Sequence, residues 1–207
     1  MKRIYIYKRF ERFWHWSQAS LIIFLALTGF EVHGTFTIFG FEHAVFFHRT
    51  AAWMLFILIV FAKFWHFATG EWKQYIPTTK QLKDQVMYYS LGMFKGEKHP
   101  VHKTELSKLN PLQRLVYLGF KIFLVPITII SGFLYLFHKS FDKNNIVVIK
   151  DISLENIALW HTVGAFLLIV FLILHVYMTT TGKTPTSNIQ AMLTGYEDVE
   201  EETENKN

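Results

Sequence analysis

Ten histidines and no cysteines make histidine the main candidate for binding a metal or cofactor in this 207-residue chain. A chain without cysteine has no disulfides, thiolate zinc sites, iron–sulfur clusters or covalently attached c-type haem. His161 and His175 lie 14 residues apart within one strongly apolar stretch. In a helix this spacing separates them by about 21 Å and keeps them within about 40° of the same face. The pattern indicates two histidine sites at different depths.

The elements that would carry these histidines are membrane-spanning helices. The chain is 51% apolar and 17% aromatic, which favours a lipid-facing protein. A span needs about 20 mostly apolar residues, and four stretches qualify, at 13–32, 44–67, 115–137 and 157–178. The first is the least apolar, but it lacks the cleavage pattern of a signal peptide and is interpreted as a retained span. The sequence therefore predicts an all-α, integral membrane four-helix bundle.

The distribution of Lys and Arg predicts the orientation of these spans. Fifteen of them lie before the first span, between the second and third, or after the fourth, whereas three lie between the third and fourth. The positive-inside rule then places the N and C termini in the cytoplasm. In a bacterial cell the spans would lie in the inner membrane and the opposite face would be periplasmic. Basic residues that flank apolar stretches in this way do not indicate a nucleic-acid-binding face. Residues 1–182 form the transmembrane domain, and 183–207 are expected to be a loosely ordered, acidic cytoplasmic tail.

Each histidine on the fourth span needs a partner at its own depth. That span runs inward, so His161 lies near the outer face and His175 near the inner face. The second span begins at the outer face with His48, and the first begins at the inner face with His15. Depth therefore pairs His48 with His161 and His15 with His175. Facing imidazoles between helices of a bundle suit axial ligation of haem iron, and the sequence predicts two haem b groups, one outer and one inner.

Each of these histidines, taken alone, could have a simpler role than haem ligation. One buried histidine could merely form a hydrogen bond between helices, but four at matching depths favour ligation. His66 lies 18 residues after His48 and shares its helix face at the inner level. It could replace His15 as a ligand, bind a haem propionate, line a quinone pocket, or simply lie at the interface. Propionates are also candidate partners for three cations, which could instead extend to lipid headgroups. These cations are Arg49, for which the propionate is preferred, Lys63 and Lys121.

Several motifs together resemble the bacterial dihaem cytochrome b561 superfamily. They are the sequence RFWHW at 12–16, the outer His48, the sequence NPLQRL at 110–115, and the spacing of His161 and His175. The resemblance extends over roughly residues 9–181. The superfamily includes the membrane cytochrome b subunits of nickel–iron hydrogenases, formate dehydrogenases and thiosulfate reductases.

This resemblance implies that the protein carries electrons across the bilayer. A periplasmic redox subunit, an iron–sulfur or multihaem protein, would exchange electrons with the outer haem, and menaquinone or ubiquinone with the inner haem. The implied quinone site lies around Asn110, Gln113 and His175, whose side chains could bind quinone carbonyls. Asn110 could equally cap the third span, with Pro111 as its first residue.

Two other functions fit parts of the pattern. A self-standing quinone reductase of the same fold would take electrons from a small diffusible donor rather than act as a subunit of a respiratory oxidoreductase. A metal-ion transporter would line a hydrated path with histidines and bind no haem. The apolar spans and the paired depths of the histidines argue against the transporter.

Overall fold

The computed structural model describes residues 2–79, 82–92, 95–96, 108–143 and 152–199. These residues are mostly helical. In chain order the main elements are β1 (Lys2–Tyr5), α1 (Arg9–Val32), α2 (Phe41–Thr69), α3 (Leu82–Met87), α4 (Pro111–Gly119), α5 (Val125–Lys143), α6 (Leu154–Thr179), α7 (Ser187–Thr194) and β2 (Tyr196–Val199). A 3-10 helix, Glu71–Tyr75, follows α2, and π-helical turns at Tyr88–Gly92 and Phe120–Leu124 follow α3 and α4.

The chain divides into two compact units, which are described separately. The first comprises Met1–Val116 with Met178–Asn207, and the second comprises Tyr117–Tyr177. In the first unit α1 packs against α2. The short connection between these two helices is held by Glu31, whose Oε1 atom accepts hydrogen bonds from three backbone N–H groups, those of Ile38, Phe39 and Gly40. These bonds satisfy the backbone of a tight turn.

The two ends of the described chain meet in the first unit. Strand β1 pairs antiparallel with β2, with Lys2 opposite Val199 and Tyr5 opposite Tyr196. Helix α7 ends at Gly195, whose positive φ of 90° allows the chain to turn into β2. The expectation of a loosely ordered tail is therefore wrong for residues 187–199. These residues are ordered because α7 docks on α1, where Trp16 Nε1 donates a hydrogen bond to the Met192 carbonyl oxygen.

Three helical segments among the described residues are long and apolar enough to cross a membrane. They are Phe41–Thr69, Pro111–Phe141 and Leu154–Thr179. Only 6–17% of the residues in their most apolar windows are buried inside the protein. Apolar helices with so little protein contact need lipid around them. The predicted second, third and fourth spans coincide with these segments, which extend beyond the predicted bounds at both ends. Helix α1 does not reach the same hydropathy, and its role as a span stays a prediction.

Candidate functional site

His48 lies against Thr28 of the neighbouring helix. Its Nδ1 atom is 3.0 Å from the Thr28 hydroxyl oxygen, which itself donates a hydrogen bond of 2.9 Å to the Phe24 carbonyl oxygen. A hydroxyl has a single proton, so the oxygen acts as the acceptor toward His48. With the Thr28 proton donated to Phe24, Nδ1 of His48 is the donor to Thr28 and Nε2 is the basic nitrogen of the ring.

His161 has the same tautomer for an additional reason. Its Nδ1 atom is 3.2 Å from the Thr128 carbonyl oxygen, which can only accept a hydrogen bond. It is also 3.2 Å from the Ser131 hydroxyl oxygen, whose proton is donated to the Ile127 carbonyl oxygen at 2.6 Å. His48 is the eighth residue of α2, and His161 is the eighth residue of α6. Both histidines present a basic Nε2 atom, the form that ligates a metal.

His175 lies in an aromatic cluster of the second unit. Its Nδ1 atom is 3.3 Å from the Tyr117 hydroxyl oxygen. The Phe171 ring is nearly parallel to it, with centroids 5.9 Å apart, and Phe120 stacks on Phe171 at 4.2 Å. Phe120 begins the π-helical turn, a type of irregularity that often occurs at functional sites. Along the chain, this turn lies between Tyr117, which contacts His175, and Thr128, which contacts His161.

His66 is buried, and both of its ring nitrogens form hydrogen bonds. Its Nδ1 atom is 2.6 Å from the Ala62 carbonyl oxygen, so Nδ1 is the donor. Its Nε2 atom therefore accepts from the Tyr75 hydroxyl at 3.2 Å. Trp14 packs edge-on against His66, with ring centroids 5.6 Å apart. Trp14 is also the sequence neighbour of His15, so α1 brings His15 to the same end of the first unit.

His15 is half-buried near the start of α1. Its ring contacts Trp16 edge-on, with centroids 5.3 Å apart. Each predicted haem pair takes one histidine from each unit, and the pairing of His48 with His161 and of His15 with His175 stays a prediction. The three candidate propionate partners differ in exposure, because Arg49 and Lys63 are exposed whereas Lys121 is half-buried in the π-helical turn.

Asn110 and Gln113 form a reciprocal cap at the start of α4. The Gln113 backbone N–H donates to Asn110 Oδ1 at 2.8 Å, and the Asn110 backbone N–H donates to Gln113 Oε1 at 3.0 Å. This capping box confirms Asn110 as a helix cap. The Asn110 amide also donates to the Tyr89 hydroxyl at 3.2 Å. Burial raises the pKa of Tyr89 above its ordinary value of 10.0, although the bond from Asn110 opposes this rise.

A partly buried cluster of charged residues lies at the start of α1 in the first unit. It was not anticipated from the sequence. Lys108 Nζ lies 2.8 Å from Glu11 Oε1 and 3.0 Å from Glu71 Oε2, and Lys8 Nζ lies 2.7 Å from Glu71 Oε1. Burial would raise the pKa of Glu71, but its hydrogen bonds from Lys8 and Lys108 lower it overall. The hydrogen bond to Glu71 raises the pKa of Lys8. The cluster ties Lys108, just before α4, to the beginning of α1 and to the 3-10 helix that follows α2.

Sequence reasoning also missed Thr28 and Ser131. Each is a hydroxyl residue followed by glycine within an apolar helix, and this is the only signal the sequence offers. Among the residues that the structure describes, no three His, Asp or Glu side chains are grouped so that they could hold a metal ion. The candidate chemistry therefore rests on single histidines with oriented rings.

Comparison with known proteins gives the family. The family model described as prokaryotic cytochrome b561 matches residues 6–195. The chain is also similar to “Putative cytochrome YdhU” of Escherichia coli (strain K12), with 28% identity over 211 residues that cover 94% of this chain and 75% of that protein. No solved structure matches the chain at a significant level. Together with its apolar helices, the match shows an integral membrane b-type cytochrome of electron transfer, and the chain belongs to the prokaryotic cytochrome b561 family.

Proposed function

We propose that this cytochrome binds two b-type haems in a four-helix bundle and conducts electrons between a periplasmic redox subunit and quinone. His48 and His161 would ligate the outer haem, and His15 and His175 the inner haem. Both chain termini would lie in the cytoplasm. Bound haem supplies the one-electron chemistry, whereas the chain supplies the ligands, their orientation and an apolar surround.

The observation that carries this proposal is the environment that His48 and His161 share: the Nδ1 atom of each lies 3.0–3.2 Å from oxygen atoms that can accept its proton. Histidines that ligate a metal through Nε2 donate their Nδ1 proton to a nearby acceptor, which orients the ring and raises its basicity. Thr28 and the Thr128 carbonyl are such acceptors. The donor set therefore fits bis-histidine ligation of haem iron.

The choice between His15 and His66 as inner ligand rests on the hydrogen bond already made by the Nε2 atom of His66. The Nε2 atom of His66 accepts a hydrogen bond from Tyr75, and its Nδ1 atom donates to Ala62. Ligation by His66 through Nε2 would break its hydrogen bond with Tyr75. This supports His15 as the inner ligand and gives His66 a structural role.

A haem count on the purified protein tests the proposal. The wild-type protein should contain two haem b groups per chain by pyridine haemochrome assay. In reduced-minus-oxidised spectra, His48→Ala and His161→Ala should lose the same haem, and His15→Ala and His175→Ala should lose the other. His66→Ala should retain both. A wild-type protein with no haem, or one that keeps both haems in His48→Ala, would overturn the proposal.

The proposed quinone site at Asn110 and Gln113 needs a variant that separates capping from binding. Asn110→Asp keeps the oxygen that caps α4 but removes the amide N–H donor, whereas Asn110→Ala removes both. Reduction of the inner haem by a soluble quinol analogue should slow in both variants, while only Asn110→Ala should lower thermal stability. Unchanged reduction kinetics in Asn110→Asp would exclude the Asn110 amide from the quinone site.

The identity of the outer electron partner can be tested separately. A respiratory subunit should copurify with a periplasmic iron–sulfur or multihaem protein after mild detergent extraction. A self-standing quinone reductase would purify alone, and a small diffusible reductant would reduce its outer haem directly. The second result would replace the subunit role without affecting the haem ligands.

A further inference from the structure

The same pair of residue types contacts one histidine in each of the two units. In the first unit Thr28 and Gly29 of α1 lie against His48 of α2. In the second, Ser131 and Gly132 of α5 lie against His161 of α6. In each case a hydroxyl oxygen lies 3.0–3.2 Å from Nδ1 of the ring. Both hydroxyl residues are buried.

The proton of each hydroxyl is already used within its own helix. Thr28 donates to Phe24 and Ser131 donates to Ile127, in both cases to the carbonyl four residues earlier. The helix backbone therefore turns each hydroxyl into an acceptor for the histidine. A serine or threonine in this arrangement favours the Nδ1–H tautomer of the histidine.

The glycine that follows each hydroxyl lets the ring approach the helix. A Cβ atom on Gly132 would lie 3.1 Å from Cε1 and 3.4 Å from Nδ1 of His161. A Cβ atom on Gly29 would lie 3.4 Å from Cε1 of His48, an ordinary van der Waals distance. The contact at His161 is thus the tighter of the two.

We propose that Thr28 and Ser131, with Gly132 beside His161, are positioning residues that hold His48 and His161 in the Nδ1–H tautomer and thereby set the redox potential of the outer haem. This inference rests on the proposed function, in which both histidines ligate that haem. Neither hydroxyl touches the iron, and each acts through the imidazole.

The direction of the change in midpoint potential follows from how the imidazole ligand stabilises the higher charge of ferric iron. An Nδ1–H group that donates a hydrogen bond makes the imidazole a stronger electron donor, which favours ferric over ferrous iron. Loss of the acceptor should therefore raise the midpoint potential. The effect of losing Ser131 should be small, because the Thr128 carbonyl remains as a second acceptor for His161.

Potentiometric titration of the full-length protein tests this, with both haems followed optically and by the low-field signals of their ferric EPR spectra. Thr28→Val, which keeps the side-chain shape, should raise the midpoint potential of one haem and leave the other unchanged. Thr28→Ser, which keeps the hydroxyl, should restore the wild-type potential. Ser131→Ala should raise the potential of the same haem by a small amount.

The glycines provide a matched comparison. Gly132→Ala should change the EPR signal of the outer haem, because the new methyl group would displace the His161 ring. Gly29→Ala should leave that signal nearly unchanged. An equal effect of both substitutions would contradict the assigned role of Gly132.

The outcomes separate this inference from the proposed function. Absence of haem from the wild-type protein would refute the proposed function itself. Two haems with identical potentials in the wild-type and Thr28→Val proteins would refute the inference alone. A shift in Thr28→Ser as large as that in Thr28→Val would also refute it, because the hydroxyl would then not be the cause. Shifts of different haems by Thr28→Val and Ser131→Ala would refute the assignment of both residues to the outer haem.

Discussion

The Nε2 atom of His66 lies 3.2 Å from the hydroxyl oxygen of Tyr75 and accepts a hydrogen bond from it. This contact joins the buried end of α2 to the 3-10 helix that follows it. It gives a conspicuous intramembrane histidine a partner other than iron, and it leads to a direct test.

Tyr75→Phe should lower stability without changing the haem content. The substitution leaves the buried Nε2 atom of His66 without its donor, which costs about 1–3 kcal/mol. Thermal unfolding in detergent measures the loss, and the haem-to-protein ratio should stay that of the wild type. Tyr135→Phe is the matched control, since the Tyr135 side chain is 52% exposed. Loss of a haem in Tyr75→Phe would return His66 to the list of ligands.

Lys108→Met should destabilise the protein strongly. The substitution leaves the buried Glu11 carboxylate without its cation, and removing one partner of a buried ion pair costs about 3–5 kcal/mol. Lys8→Met is the control, because the Lys8 side chain is 51% exposed and its pair with Glu71 is worth about 0–1 kcal/mol. Chemical denaturation of both variants under the same conditions makes the comparison. Equal losses would show that the cluster does not depend on Lys108.

Stability should fall in acid partly through Glu71. Its folded-state pKa lies below the ordinary value of 4.5, so the folded protein favours the ionised carboxylate. The contribution of this group is therefore complete above pH 4.5 and is lost as the pH falls through the lower folded-state value. Thermal unfolding followed from about pH 6 to about pH 3.5 should show a smaller loss in Glu71→Gln than in the wild type. Glu155→Gln, which changes an exposed carboxylate, controls for the removal of one charge.

Gly164→Ala should destabilise the contact between α5 and α6. A Cβ atom on Gly164 would lie 2.7 Å from Thr128 Oγ1 and 3.4 Å from Thr128 Cα, so Thr128 must move. Overpacking of this kind costs about 1–3 kcal/mol, and it would also disturb the carbonyl that accepts from His161. Gly119→Ala is the control, since among the described residues no atom beyond its chain neighbours and its own helix backbone lies within 4 Å of its added Cβ. A thermal unfolding temperature in Gly164→Ala equal to that of Gly119→Ala would contradict the close approach.

The positions of the apolar helices could be predicted from the sequence because a span needs a long apolar run whatever it packs against. The histidines of α2 and α6 were found in the same way, since an ionisable group in such a run is conspicuous. The Asn110 cap was also predictable, because the residues that form it are local in sequence. The residues that contact the histidines of α2 and α6 could not be predicted. Thr28 precedes His48 by 20 residues, and nothing local shows which face of α1 meets α2.

Two features depend on long-range contacts for the same reason. The sequence of the tail is mostly polar because α7 buries only part of its surface against α1. The contacts that order it, such as that of Trp16 with Met192, come from residues far away in the sequence. The partners of Lys108 lie 37 and 97 residues away, at Glu71 and Glu11. The sequence of a loop does not reveal whether a charged residue in it becomes buried or which residues it pairs with, because both depend on the folded structure.

The pairing of β1 with β2 has a consequence for the count of membrane crossings. Residues 2–5 and 196–199 are hydrogen-bonded neighbours, so both lie on one side of the bilayer. A chain that leaves from one side and returns to it crosses an even number of times. The three strongly apolar segments alone would give an odd number. If all three segments cross, parity predicts α1 as the fourth crossing, although its charged ends lower its hydropathy. Reporter domains fused before β1 and after β2 should then be found in the same compartment.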